Sequence, residues 1–230
     1  MAQKSSGVRF PGETSRYRTA RNRLLTAERK LRKQVEQVAR MRRKLPLGGE
    51  VPEDYVFEGG SDPADMTVRT VKLAELFREH LDTLALYSYM YGPAMTQPCP
   101  MCTSFLDSLD GSAPHIMQRA NLAVVAKSPL GRIRELARGR GWRNLRLLSS
   151  ANNTYNRDYH GEMADGSQMP SLNVFVRRKG KIFHFYHTEL LFAPAERGQD
   201  GRHIDMMWPL WNVLDLTPEG RGDWRPRLSY

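Results

Sequence analysis

The sequence predicts an α/β fold in which helices flank a mixed β-sheet, with a long helical extension at the N-terminus. Three observations support this fold class. Apolar segments of strand length alternate with helical segments between residues 84 and 148, which is typical of βαβ units. Two further strand segments, 172–177 and 181–187, are close enough in sequence to form an antiparallel hairpin. Residues 13–44 show the apolar spacing of a helix.

The N-terminal segment Glu13–Lys44 is predicted to form one long helix. Its apolar residues recur at intervals of seven or four positions, which indicates a single narrow apolar stripe. The members of this stripe are Leu24, Leu31, Val35, Val38 and Leu45. Glu28 and Arg42 occupy positions that would complete a heptad seam. We therefore expect this helix to pack across its own domain or against a second copy in a homo-oligomer, rather than to form an autonomous coiled coil.

Most of the positive charge of the protein lies in this segment. Residues 13–44 contain twelve Lys and Arg against three Glu, which accounts for +9 of the net charge of +10. Because the rest of the chain is nearly neutral, a nucleic-acid partner would have to bind the N-terminal segment alone. The segment has no helix-turn-helix pattern and only one aromatic residue, Tyr17, so nucleic-acid binding is the less favoured alternative.

Composition predicts the boundaries of the parts of the chain. Residues 1–45 form the basic helical extension, 46–69 a connector, 70–216 the main domain and 217–230 a polar tail. The connector contains a possible short strand at Tyr55–Phe57. It is rich in turn-forming residues, namely Pro46, Gly48, Gly49, Pro52, Gly59, Gly60 and Pro63.

The sequence predicts neither a membrane span nor a secretory signal. The longest mainly apolar stretch, Leu84–Met90, is far shorter than the ~20 residues that cross a bilayer. Residues 1–12 contain no apolar core of a signal peptide. We therefore expect a cytoplasmic, reducing setting, where neighbouring cysteines are more often redox-active or metal-binding than structural.

The first half of the main domain contains a short helix, a strand and the start of a longer helix. Lys72–Arg78 can form a short helix, and Leu84–Tyr91 predicts a buried strand because it is rich in Leu, Tyr and Met. A helix is predicted to begin at Cys99 and to break at Gly111. A second helical piece is predicted over 113–119.

The second half continues the alternation of strands and helices. Asn121–Ala126 predicts a strand, and Ser128 followed by Pro129 predicts a helix start with Ser at the cap. Leu145–Leu148 predicts another short strand. Residues 152–169 are polar and predict a loop with one helical turn.

The hairpin that follows alternates apolar residues, and one more helix is predicted over Ile204–Leu214. The alternation places one set of side chains on a common face of each strand. These sets are Leu172, Val174 and Val176 on the first strand, and Phe183 and Phe185 on the second.

Both cysteines of the chain lie in the short segment Pro98–Thr103, at positions 99 and 102. This spacing allows a disulfide across the first turn of a helix. Pro100 fits the first helical turn, where its missing N–H costs nothing. The positive end of that helix would favour a thiolate on Cys99.

The order of these elements resembles the thioredoxin fold, in which a dithiol begins the first core helix and a cis-proline precedes the hairpin. The resemblance implies thiol–disulfide exchange, with Cys99 as the nucleophile and Cys102 as the resolving thiol. It places Pro170 at the position of the cis-proline. It also implies that Met169 and Pro98, which stand beside these residues in sequence, contact the substrate.

Several segments are similar to a more specific family, the thioredoxin-like family of unknown function numbered 899. Members of that family are often described as predicted dithiol-disulfide oxidoreductases. The resemblance covers most of residues 50–222 and implies a disulfide or thiol, on a protein or a small molecule, as partner. The matching segments are the Cys-Pro-x-Cys motif, 122–130, Gly141-Trp142, 170–175 and 211–220.

Two other functional interpretations remain open. Thr96 stands three residues before Cys99, which matches the Thr-x-x-Cys of peroxiredoxins, where the threonine hydroxyl helps to hold a peroxide. Pro93 is one residue too close to Thr96 for the full motif of that class. The chain could also be a non-catalytic binding protein that keeps the fold and uses its basic helix for interaction.

A metal site is the competing class, and the sequence does not favour it. Two cysteines need two further ligands, and His184 and His187 are the nearest candidates. Residues three apart on a regular strand point to opposite faces, so both could reach one ion only across a bulge. We predict neither a metal nor a cofactor. His115 is predicted to be a capping or partly exposed residue rather than a catalytic base, and His80, His160 and His203 have no motif around them. Trp142, Trp208 and Trp211 are predicted core residues.

Overall fold

The structure is a computed structural model, which describes residues 7–60, 65, 67–198, 207–220 and 222–229. Contacts divide the chain into two compact units, residues 1–46 and 47–230. Three expectations touch residues outside the described ranges. These concern Pro63, His203 and the predicted helix start at Ile204.

The first unit contains one long helix, α1 (Ser15–Arg43), as predicted. Thr14 is its N-cap, and the Thr14 hydroxyl accepts a hydrogen bond from the Tyr17 amide at 3.2 Å. No residue of α1 is buried, and Leu24 and Leu31 of the apolar stripe are exposed. A homo-oligomeric contact through this helix stays a prediction.

The second unit is built on a mixed sheet, which in the described part of the chain has seven strands in the order β2-β1-β5-β4-β3-β6-β7. The strands are β1 (Val56–Gly59), β2 (Arg69–Lys72), β3 (Thr83–Ser88), β4 (Asn121–Ala126), β5 (Leu147–Ser149), β6 (Ser171–Arg178) and β7 (Lys181–His187). The helices are α2 (Pro100–Ile116), α3 (Leu130–Arg140), α4 (Tyr155–Asp158) and α5 (Pro209–Leu214), and short 3-10 turns cover Leu73–Leu76 and Glu189–Leu191.

The central strands give the sheet its thioredoxin-like character. Strands β3, β4 and β5 are parallel and are connected by α2 and α3. Strand β6 lies antiparallel on the other side of β3 and continues into β7. The predicted fold class is therefore confirmed: a thioredoxin-like mixed sheet flanked by helices, with a long N-terminal helical extension.

A hydrophobic core lies on each face of the sheet. The first core joins the sheet to α2, α3 and α5 and contains, among others, Tyr87, Tyr89, Cys102, Phe105, Leu106, Ile133, Trp142, Trp208 and Trp211. The second core includes Tyr55, Phe57, Leu84, Leu86, Tyr155 and Phe175. The three tryptophans predicted to be core residues are buried in the first core, which confirms that expectation.

Helix α2 differs from the prediction because it continues through Gly111 and Pro114 to Ile116. Proline at 114 removes the N–H that would normally bond to the Asp110 carbonyl. The Asn144 side-chain amide donates to that carbonyl instead, at 3.1 Å. A partner distant in sequence thus satisfies the helix backbone, so the predicted break at Gly111 is wrong.

The start of α3 also differs from the prediction. Pro129 is the N-cap, and no side chain caps the helix. The Ser128 hydroxyl donates to the Gly92 carbonyl at 3.1 Å, while the Ser128 amide donates to the Tyr91 carbonyl at 2.9 Å. Ser128 therefore holds the loop that follows β3 instead of capping α3.

The hairpin contains a β-bulge between β6 and β7. Val174 pairs with Tyr186, whereas Phe175 pairs with His184, so Phe185 has no directly opposite residue. Phe183 and Tyr186, rather than Phe183 and Phe185, therefore share the face of Val174. The bulge also brings His184 and His187 to one face, the arrangement that a regular strand would forbid.

Two predicted helices are shorter in the structure. The segment predicted as a helix over Lys72–Arg78 forms the end of β2 and a 3-10 turn at Leu73–Leu76, and the last helix is described from Pro209 onward. Among the helices in the described part of the chain, none has the length and apolarity needed to cross a membrane.

Candidate functional site

The two cysteines lie at the first turn of α2, after the loop that connects β3 to this helix. Cys99 is the N-cap in an extended conformation, and Pro100 occupies the first helical position, as predicted. The Cys99 amide donates to the Met90 carbonyl at 3.0 Å. Because proline has no N–H to satisfy and a fixed φ, the sequence Cys-Pro starts the helix at this point.

The two thiols are free and have unequal surroundings. Cys99 is half-buried, whereas Cys102 is fully buried in the first core. A hydrogen bond from the Cys102 thiol, aided by the backbone amides of Cys102 and Met101, lowers the pKa of Cys99 to about 6, although burial opposes this shift. Burial, followed by the bond to Cys99, raises the pKa of Cys102 well above its ordinary value. At neutral pH the arrangement favours a thiolate on Cys99 and a neutral thiol on Cys102.

Tyr87, on β3, is a buried polar residue that interacts with Cys102. Its side chain is fully buried, and its hydroxyl interacts with the Cys102 thiol but makes no hydrogen bond of standard geometry in the described part of the chain. Burial, followed by the influence of Cys102, raises the pKa of Tyr87 well above its ordinary value. Tyr87 in turn acts to lower the pKa of Cys102. A neutral phenol is thus available to the Cys102 sulfur when that sulfur loses its proton.

A second tyrosine supports the first helical turn through Thr103. The Tyr89 and Thr103 hydroxyls lie 2.6 Å apart, and the Thr103 hydroxyl donates to the Cys99 carbonyl at 2.9 Å. Tyr89 and Thr103 are both buried.

The loop before Cys99 is held from α3. The Arg132 guanidinium lies 4.6 Å from the centre of the Tyr91 ring and donates to the Met95 carbonyl at 2.7 Å. Sequence reasoning did not select Tyr87, Tyr89 or Arg132 as site residues. The two tyrosines could have been found from the alternation of tyrosines at 87, 89 and 91 just before the dithiol, since alternate residues of a strand share a face.

The other predicted site residues occupy the loops around the dithiol. Pro98 is buried, and Thr96 lies in an exposed bend. Met169 is half-buried and Pro170 is buried, directly before Ser171, which pairs with Ser88 at the end of β3. Their roles stay predictions.

A close approach connects the two loops on which these residues lie. A Cβ atom placed on Gly92 would lie 2.8 Å from Cγ of Gln168, so the loop before Cys99 contacts the loop before Pro170. The expectation of a cis-proline is wrong, because no peptide bond in the described residues is cis. The Met169 amide donates to the Gly161 carbonyl at 3.0 Å, which connects the residue before Pro170 to the loop after α4.

The dithiol is separate from the histidines considered as metal ligands. Cys102 belongs to the first core, whereas Phe175, which pairs with His184, belongs to the second core on the opposite face of the sheet. Within the described ranges, no group of three or more His, Cys, Asp or Glu side chains is arranged to hold a metal ion. His80 and His115 are exposed.

A protein-family model matches most of the chain. The model of a family described as "Bacterial protein of unknown function (DUF899)" matches residues 9–229. No curated protein matches the chain in sequence.

Comparison with solved structures finds several that are similar to this chain. Reduced 2-Cys peroxiredoxin of Plasmodium vivax is 14% identical, with coverage of 74% of this chain and 96% of that chain and a TM-score of 0.47. AhpC of Enterococcus faecalis is 10% identical, with coverage of 78% and 98% and a TM-score of 0.48. Thioredoxin peroxidase I of Plasmodium yoelii is 15% identical, with coverage of 79% and 100% and a TM-score of 0.47. These identities are too low to transfer an activity.

Proposed function

The chain belongs to the DUF899 family of bacterial proteins of unknown function, and we propose that it acts as a thiol–disulfide oxidoreductase. Cys99 is the nucleophile and Cys102 is the resolving thiol. The observation that carries this proposal is the inequality of the two thiols. The more accessible thiol, Cys99, has its pKa lowered to about 6, while the buried Cys102 keeps its proton.

The first step is attack on a disulfide by Cys99. The Cys99 thiolate forms a bond to one sulfur of the substrate, the substrate S–S bond breaks, and the second substrate sulfur leaves as a thiolate that takes a proton from water. A pKa near 6 means that most Cys99 is already ionised at neutral pH. Since the thiolate is the reactive form, no separate base is needed for this step.

The second step closes the disulfide of the protein. Cys102 loses its proton, its sulfur bonds to Cys99, and the remaining substrate sulfur leaves as a thiol. Two electrons pass from the dithiol to the substrate, so a thiol reductant must later return them. Tyr87 supports this step because its otherwise unpartnered hydroxyl can donate to the Cys102 thiolate as it forms.

The loops beside Cys99 would bind the substrate. The contact between Gly92 and Gln168 supports a shared surface formed by the loop carrying Pro98 and the loop carrying Met169 and Pro170. Half-buried Met169 offers an apolar contact to a disulfide on a protein or a small molecule. A recessed nucleophile between two loops favours substrates whose disulfide is exposed.

A thiol titration tests the proposal. Incubation of the full chain with glutathione disulfide should remove both thiols, and dithiothreitol should restore them. In Cys102→Ala the reaction should stop at a mixed disulfide on Cys99, which mass spectrometry would detect. Cys99→Ala is the matched control and should form no adduct at a comparable rate. Rapid adduct formation on Cys102 in that variant would reverse the assigned roles, and unchanged thiol content in the wild type would refute the proposal.

A thiol peroxidase is the second candidate, and Thr96 is the observation that favours it. Its side chain is exposed three residues before Cys99, where a hydroxyl can meet an incoming peroxide. The Cys99 thiolate would take one peroxide oxygen to become a sulfenic acid and release an alcohol or water. Cys102 would then form the disulfide and release water.

Peroxide kinetics distinguish the two candidates. If the protein is a peroxidase, stoichiometric hydrogen peroxide should oxidise Cys99 much faster than it oxidises free cysteine, and Thr96→Val should slow this reaction without slowing the reaction with glutathione disulfide. Slow oxidation, with no effect of Thr96→Val, would exclude the peroxidase.

A further inference from the structure

A cavity of about 480 Å³ lies on the face of the sheet opposite the dithiol, beside the outer strand β7. This volume is in the range of small-molecule sites. Residues 48–51 run along the edge of β7, where the Gly48 amide donates to the His184 carbonyl at 2.9 Å and the His184 amide donates to the Gly49 carbonyl at 3.0 Å. The segment that carries the lining residues Gly49 and Glu50 is therefore held against β7 by backbone hydrogen bonds.

Three histidines line this cavity: His184 and His187 lie on β7, and His160 lies in the turn after α4. The β-bulge at Phe185 turns His184 and His187 to the same face, although they are three residues apart. His160 has a left-handed backbone conformation with φ of 58°, which is unfavourable for a residue with a side chain. Its ring lies 5.7 Å from the ring of His187. Two local departures from regular backbone thus gather these imidazoles at one place.

One of these imidazoles has an unsatisfied polar atom. His187 is only 8% exposed, and its Nε2 has no hydrogen-bond partner in the described part of the chain. By contrast, Nε2 of His184 lies 3.1 Å from Oδ1 of Asn173. A buried polar atom without a partner is costly. With the ring proton on Nδ1, Nε2 of His187 can accept a hydrogen bond from a ligand.

The charges around the cavity favour a cation. Glu50, Asp158 and Glu189 line it, and no Lys or Arg is among the lining residues. Glu50 is paired with Lys181 at 2.8 Å, whereas Glu189 has no ion pair with Lys or Arg in the described ranges. Burial lowers the pKa of both His184 and His187, so their imidazoles are neutral near pH 7. The lining therefore carries a net negative charge.

Aromatic rings supply the apolar part of the site. Tyr159 lies 5.6 Å from the His184 ring, and Phe192 lies 5.3 Å from the His187 ring, centre to centre. An ammonium group gains from aromatic faces as well as from carboxylates. An apolar group attached to the cation could pack between Tyr159 and Phe192.

We propose that this cavity binds a small organic cation, namely a protonated primary amine joined to an apolar group. The ammonium N–H groups donate to Nε2 of His187 and interact with the carboxylate of Glu189, and the apolar group contacts Tyr159 and Phe192. This site is independent of the thiol chemistry, because it uses neither cysteine and lies on the other face of the sheet.

Benzylammonium is a suitable probe for the full-length protein, with benzyl alcohol and benzoate as neutral and anionic analogues. Ligand-observed NMR titration should show saturable binding of benzylammonium about tenfold tighter than binding of benzyl alcohol, and no binding of benzoate. Glu189→Gln, which keeps the shape and removes the charge, should weaken benzylammonium about threefold. His187→Phe should weaken it further. Glu135→Gln, an exposed change on α3, should leave binding unchanged.

The proposal fails if benzylammonium shows no saturable binding to a folded wild-type protein, or if benzoate binds equally well. It also fails if the double variant Glu189→Gln/His187→Phe binds benzylammonium as the wild type does. Stoichiometric binding of Zn²⁺ alone, without binding of the amine, would identify a metal site instead. Circular dichroism of each variant checks that the fold is retained.

Discussion

The Tyr89 hydroxyl lies 2.6 Å from the Thr103 hydroxyl, and the Thr103 hydroxyl donates to the Cys99 carbonyl at 2.9 Å. Because the Thr103 proton is used in the bond to the carbonyl, Tyr89 is the donor to Thr103. This chain of bonds ties the segment after β3 to the first turn of α2. It therefore fixes the backbone that carries the Cys99 sulfur.

Removal of the Thr103 hydroxyl should destabilise the protein more than removal of the Tyr89 hydroxyl. Thr103→Val leaves the buried Tyr89 hydroxyl without its partner and should lower the free energy of unfolding by about 2 kcal/mol. Tyr89→Phe leaves the bond from Thr103 to Cys99 intact and should cost about 1 kcal/mol. Urea denaturation measures both values. The double variant should be less unstable than the sum of the single variants, and simple additivity would contradict the shared network.

The Cys102 thiol should control the ionisation of Cys99. Its hydrogen bond is the largest cause of the lowered pKa, so Cys102→Ala should raise the pKa of Cys99 from about 6 toward its ordinary range. The pH dependence of iodoacetamide alkylation reports this pKa. Cys102→Ser retains a hydroxyl donor and should fall between alanine and wild type. An alkylation midpoint near pH 6 in Cys102→Ala would show that another group stabilises the thiolate.

Tyr87 should affect the resolution of the mixed disulfide more than it affects the stability of the fold. Tyr87→Phe removes a donor to the Cys102 thiolate, so closure of the disulfide should slow by about tenfold, equivalent to ~1.4 kcal/mol. Stopped-flow release of thionitrobenzoate from an adduct on Cys99 measures that step. Formation of the adduct should be unchanged. Because the hydroxyl makes no hydrogen bond of standard geometry with a described group in the resting protein, the variant should lose less than about 1 kcal/mol of stability.

The parts of the fold that sequence predicts well are those decided by local chemistry. Strand β4 has the predicted bounds because its residues, from Asn121 to Ala126, are all buried. The start of α2 follows from proline after Cys99. The continuation of α2 through Pro114 could not be predicted, because its carbonyl partner is Asn144, thirty-four residues from Asp110.

In the candidate site, too, local sequence predicts some features and distant contacts determine the others. Cysteine spacing predicts a pair of thiols at a helix start, whereas their unequal pKa values depend on burial that only packing of the sheet supplies. No glycine or proline stands beside Phe185, so the sequence does not indicate the bulge. Because of the bulge, His184 and His187 lie on the same face of the sheet instead of on opposite faces. No local pattern in the sequence indicates that His160 lies beside them.

The contact between Gly92 and Gln168 gives a test of the arrangement of the two loops. Gly92→Ala places a methyl group 2.8 Å from Cγ of Gln168, which is in the middle of a buried side chain and cannot move aside freely. The variant should be destabilised by about 1–3 kcal/mol and should react more slowly with glutathione disulfide. Gln168→Ala in the same chain should recover most of the stability. Absence of recovery would show that the loops do not meet through these residues.

The stability of the protein should depend on His187 in the acidic range. Burial first, then His160 and His184, lower the pKa of His187 from 6.5 to about 4, while Glu189 opposes this shift. The unfolded chain therefore binds more protons than the native protein between these two pH values. The contribution of His187 to stability is complete above about pH 6.5 and is lost as the pH falls toward 4, with a slope of at most about 1.4 kcal/mol per pH unit.

Comparison of urea denaturation at several pH values isolates this contribution from that of the carboxylates. His187→Phe should unfold with a weaker pH dependence between pH 6.5 and 4 than the wild type, because its buried ring does not titrate. His80→Asn is the control, since His80 is exposed and asparagine tolerates the left-handed backbone at that position. It should follow the wild-type curve. Parallel curves for His187→Phe and the wild type would show that His187 accepts a proton as readily in the native cavity as in the unfolded chain.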